Sequence, residues 1–171
     1  GRLSTLITRG RRRSAKGRYA LARADLDDGL PGCLALLLAA DTRPTAHPAG
    51  KPSVAAADQA GNGAATNDVA TDAAATATAH ARWLAERFPD RSWIAAELHC
   101  GPDDRARLAA LRAASQASGL PLVAAGDVHM HVRSRRRLQD MLTAVRIGLP
   151  LAEAKHALYP NGERHLRLRM R

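Results

Sequence analysis

Between Ser92 and Ala125 the chain carries one pattern that allows few architectures: apolar strand, helix, apolar strand. Ser92-Trp-Ile-Ala-Ala-Glu97-Leu98 predicts a strand, with Trp93 and Ile94 supplying β-propensity. Gly101-Pro-Asp-Asp104 opens a helix, since proline suits a first turn and the aspartates complement the helix dipole. Leu108, Leu111 and the neighbouring alanines form a narrow apolar stripe, and Gly119 suits the left-handed position that ends a helix. Leu120-Pro-Leu-Val-Ala-Ala125 is then a second strand, apolar on both faces as a buried parallel strand would be. A strand–helix–strand unit this short makes its strands parallel, so the fold class is α/β.

The second strand runs into Gly126-Asp127-Val128-His129-Met130-His131. On an extended backbone residues two apart project to one face, which would bring Asp127 and His129 together. A carboxylate and an imidazole at the carboxyl end of a parallel strand stand where α/β proteins place ligands and catalytic groups. Two readings fit: half of a divalent metal site, or a loop that carries polar residues. His131 would share that side and has no assigned role.

Aromatic residues make up only 3% of the 171 residues, so the core must rest on leucine, alanine and valine. The first residue is glycine and the last five are Arg-Leu-Arg-Met-Arg, and the expectation is a piece of something larger. The net charge of +10 gathers at Arg9, Arg11, Arg12, Arg13, Lys16 and Arg18, and again at Arg133, Arg135, Arg136 and Arg137. Such a surface suits a polyanion such as nucleic acid, or reflects an arginine-rich composition on solvated faces. No aromatics interleave with the arginines, which argues against a stacking platform for single strands. Cys33 and Cys100 lack zinc spacing. With no membrane-spanning run or signal architecture, the expected location is cytoplasmic, with no membrane partner.

Ahead of the strand–helix–strand unit, Leu3–Thr8 predicts a helix or turn followed by a basic loop, and Cys33–Leu38 a buried strand. From 41 to 79 alanine, threonine, aspartate, glycine and proline dominate. Such a tract buries too little to offset its ordering entropy, and the expectation is a disordered insertion, with some helix near 72–82. After His131, Leu138, Met141, Leu142 and Val145 keep helical spacing until Gly148. Beyond it Asn161-Gly162 signals a turn and little else.

Six blocks together resemble a known family: Leu3-Ser-Thr-Leu-Ile-Thr-Arg-Gly-Arg-Arg12, Gly29-Leu-Pro-Gly-Cys-Leu34, Trp83–Phe88, Glu97-Leu-His-Cys-Gly-Pro-Asp-Asp104, Ala125–His131 and Pro160–Leu166. They are similar to the PHP (polymerase and histidinol phosphatase) domain of bacterial C-family DNA polymerases, nearest the error-prone, damage-inducible ImuC type. The resemblance implies a partial distorted β/α barrel over 1–40 and 80–150, an insertion at 41–79, and from 151 to 171 the start of a connection to the polymerase region. It also implies that Asp127 and His129 fall on the late metal-ligand pair of a zinc, manganese or magnesium site. The earlier ligands would precede Gly1. Gly32-Cys33 matches the letters of the family's cysteine ligand but lies before its strand, so a free cysteine is the expectation. His99 has no family counterpart. The palm carboxylates of nucleotidyl transfer would lie past Arg171, so no catalytic residue is expected here. The implied parent is an error-prone DNA polymerase acting in translesion synthesis and repair, with DNA, other translesion proteins and the sliding clamp as partners. Two other readings stand beside it: a metal-dependent phosphoesterase, and a basic nucleic-acid-binding module with a vestigial metal site.

Overall fold

The computed structural model describes residues 1–16, 18–38 and 66–167. Its elements are α1 (Arg2–Arg12), β1 (Ala35–Leu38), α2 (Thr66–Arg87), β2 (Ser92–Glu97), α3 (Asp104–Ser118), β3 (Leu122–Ala125) and α4 (Arg136–Ile147), with short 3-10 turns between. The strands form one small parallel sheet in the order β1-β2-β3. β1 runs parallel to β2, from Ala35 beside Ser92 to Leu38 beside Ala95. The mixed α/β class expected from the strand–helix–strand pattern is thus present. Residues 39–65, most of the expected insertion, lie outside the described residues, and the backbone of α2 begins at Thr66 within that tract.

Two compact units divide the chain. The first holds α1, β1, α2, most of β2 and the later half of α3. Its core is Leu6, Ala81, Leu84, Phe88, Ile94, Ala95, Leu111, Ala114 and Leu120. Ile94 is fully buried (0% exposed) and its N–H bonds the Pro121 carbonyl, which ties β2 to the approach of β3. Ala81, Leu84 and Phe88 recur at helical spacing, so α2 presents one apolar stripe to this core. Gly119 ends α3 at φ +75° and Gly148 ends α4 at φ +69°, as their positions in the sequence predict.

Three local expectations change. The basic stretch after Thr8 is helical as far as Arg12, because Arg9 and Arg13 both reach one carboxylate, Asp25, at 3.2 and 2.6 Å. Asp25 also accepts the Ala22 N–H at 2.9 Å, and these partners hold its pKa below the ordinary value, the backbone bond most of all. The other two corrections concern strands expected to be buried. In β1 exposure alternates, leaving Leu36 and Leu38 exposed, as is Leu34 just before it, and in β3 Val123 is exposed. Unbroken apolar letters overstated burial: among the described residues β1 covers one face only, and in β3 the adjacent Val123 and Ala124, on opposite faces, are both exposed.

The second unit holds residues 96–109 and 124–167. Met130, Ala144 and Ala154 are its buried apolar residues, and Thr143 and Arg164 its buried polar ones. No helix among the described residues is long and apolar enough to cross a membrane.

Candidate functional site at the end of the third strand

The site begins where β3 stops. Asp127 takes φ +40°, in the left-handed region, so the backbone is not extended there and the period-two argument for a shared face does not apply. The two side chains still meet: Asp127 Oδ1 lies 3.6 Å from His129 Nδ1. The turn at Asp127, rather than strand alternation, brings them together. Left-handed backbone at a non-glycine residue is uncommon and is held here by what surrounds it.

That surrounding structure comes from the tail. The His129 and Met130 N–H groups both donate to the Arg164 carbonyl, at 2.8 and 3.1 Å, and the Leu166 N–H donates to Met130 at 3.0 Å. A parallel bridge between Met130 and His165 results. Asn161 shapes the entry to this strip. Its side-chain amide donates to the His99 carbonyl at 2.6 Å, and its Oδ1 accepts the Glu163 N–H at 3.1 Å. His99 in turn bonds Gly126 through Nε2 at 3.1 Å, which makes Nε2 the protonated nitrogen because a carbonyl only accepts. The histidine that follows β2 therefore fixes the loop before Asp127.

The chemistry of the pair follows from its partners. His129 Nδ1 faces the Asp127 carbonyl at 2.8 Å and must carry the proton there. Nε2 is then left with a lone pair, the arrangement that a metal-binding histidine uses. Tyr159 takes that lone pair: its hydroxyl donates to Nε2 at 2.9 Å, with the two rings 4.9 Å apart. Arg136 holds the Tyr159 carbonyl at 3.0 Å. The Asp127 carboxylate is engaged by the Arg164 guanidinium, whose side chain is only 8% exposed and which stacks 4.4 Å over the Tyr159 ring. Burial and then the positive charge of Arg146 lower the pKa of His129, against an opposing pull from Glu97. Glu97 itself lies 4.0 Å from Arg107.

The residues present do not fit a metal ion as they stand. A hydroxyl and a guanidinium already occupy the donor atoms that an ion would need, and Arg146 adds positive charge nearby. Among the described residues, no three His, Cys, Asp or Glu side chains group closely enough to hold one. His131 is exposed. Cys33 is a free, half-buried thiol in the other unit, and Cys100 is free and exposed. The sequence points to Asp127 and His129 but gives no site role to Tyr159, Asn161 and Arg164, although the last two fall in the Pro160–Leu166 block and its Asn-Gly turn.

An α/β chain with a carboxylate–imidazole pair at a strand end is a class that contains many functions, and comparison with known proteins narrows it. No protein-family model matches the chain. Over its whole length it is 45% identical to an error-prone DNA polymerase of Dechloromonas aromatica, of which it covers 14%. Over 97% of its length it is 49% identical to an error-prone DNA polymerase of Aromatoleum aromaticum, and over 96% it is 46% identical to that of Pseudomonas aeruginosa. It covers 13% of each of those two relatives. The chain is therefore homologous, along nearly all of its length, to one short segment of the error-prone DNA polymerases.

Proposed function

We propose that this chain is a segment of an error-prone DNA polymerase that copies damaged DNA, and that it forms part of the PHP domain of that enzyme. The observation that carries the reading is the 44–49% identity, across nearly the whole chain, to proteins bearing that name. Residues 1–40 and 80–150 are read as two parts of the PHP domain, 41–79 as an insertion between them, and 151–171 as the start of the connection to the polymerase region. The sheet of three parallel strands, with Asp127 and His129 past the end of β3, is compatible with part of a distorted β/α barrel.

Nucleotidyl transfer in such an enzyme rests on carboxylates holding divalent ions, which lie in a region beyond this segment. The segment contributes positioning and charge. Its net charge of +10 favours the DNA backbone, with affinity that falls as salt rises. DNA, other translesion proteins and the sliding clamp are the partners of the intact, cytoplasmic enzyme in this reading. Primer extension over a template lesion tests it. The intact protein should extend the primer past the lesion, and these 171 residues alone should not. Failure of the intact protein to extend any primer would refute the proposal.

A further inference from the structure

We infer that Arg164 is the permanent counter-ion of Asp127, so that the Asp127–His129 pair clamps the tail of this segment instead of binding a metal. Three independent contacts lead there. The guanidinium pairs with the Asp127 carboxylate while almost wholly buried. The Arg164 carbonyl receives both the His129 and Met130 N–H groups, so the same residue is joined to the strip through backbone and side chain. Its cation also lies over Tyr159, whose hydroxyl fills the remaining lone pair of His129.

These contacts form one closed arrangement. A divalent ion at Asp127 would have to displace a buried arginine, which would lose its carboxylate partner. Unpairing a buried charge is far more costly than breaking an exposed ion pair. An ion on Nε2 of His129 would also have to turn away the hydroxyl of Tyr159, a residue whose backbone carbonyl is held by Arg136 and whose ring lies against Arg164. The carboxylate keeps a cation, but the cation is a side chain, fixed in place without dependence on metal supply. What it secures is the stretch 161–166 against 127–131. This inference does not depend on polymerase activity in the parent.

Two measurements on the intact protein test it. The first compares manganese and zinc bound per molecule, by equilibrium dialysis and elemental analysis, in the wild type and in Asp127→Asn. Equal content is expected, and loss of one ion in the variant would overturn the inference. The second needs no variant: hydrogen exchange of peptides covering 127–131 and 161–167, with and without excess manganese. Unchanged protection is expected, whereas faster exchange on adding the metal, as Arg164 is displaced, would refute it. Arg164→Met should speed exchange in both peptides by about tenfold or more, with or without metal. Unchanged exchange in that variant would also count against the clamp.

Discussion

Arg91 and Arg164 perform the same task in different units and by different chemistry. Arg91, in the first unit, donates to three backbone carbonyls: Gly29 at 3.2 Å, Leu30 at 3.2 Å and Cys33 at 2.8 Å. All three are neutral, and the guanidinium also lies 5.7 Å from the Phe88 ring. Arg164, in the second unit, holds a carboxylate and lies over a tyrosine. The first arginine organises a turn by saturating dipoles, and the second neutralises a charge. Carbonyls that lose an arginine lose hydrogen bonds, but a carboxylate that loses one keeps a net charge in a partly buried place. Only the second arrangement resembles what a metal ion does.

The comparison breaks most severely at Gly29. Its φ is +62°, and a Cβ there would stand 2.2 Å from the Arg87 carbonyl oxygen, a backbone atom that cannot step aside cheaply. Gly29→Ala should destabilise the Arg91 turn by about 3 kcal/mol or more, read as faster hydrogen exchange over 26–35. Arg91→Met should cost about 2–3 kcal/mol at the same amides, with little dependence on salt because its acceptors are neutral. Arg164→Met should cost about 2 kcal/mol, less than a fully buried pair because the Asp127 side chain is 37% exposed. Tyr159→Phe keeps the ring under Arg164 and removes one hydroxyl, so about 1 kcal/mol should be lost at the His129 amide.

A carboxylate in the first unit gives a gentler contrast. Asp25 has its pKa lowered in the folded protein, so it stabilises the tie to α1 above the unfolded carboxylate range. That contribution should be lost as pH falls through the lowered folded value. Asp25→Asn should flatten the acid dependence of α1 helicity followed by exchange of residues 2–13. An unchanged acid profile would rule out this role.

The strand–helix–strand unit was legible because each boundary rests on local chemistry. Gly119 and Gly148 adopt the left-handed conformation their positions call for, and β2, α3 and β3 lie close to their predicted spans. Burial was less legible, since Leu36 and Val123 sit in apolar runs yet remain exposed among the described residues. At the site, the Asp127–His129 pair was found for an incomplete reason. Strand alternation predicted their meeting, but the left-handed turn at Asp127 produces it. Arg164 was hidden because its partner lies 37 positions earlier in the chain, and no periodicity reports a contact between a turn and a distant strand end. Likewise, His99 reads as an isolated histidine until its bond to Gly126 is seen.

Arg164 is the charge that Asp127 requires. A double-mutant cycle with Arg164→Met and Asp127→Asn in the intact protein, read from the exchange of peptide 161–167, measures that directly. The predicted coupling is at least about 1 kcal/mol, with the double variant less destabilised than the sum of the two single variants. Additivity within about 0.3–0.5 kcal/mol would contradict the account, because the two residues would then be neighbours without being partners.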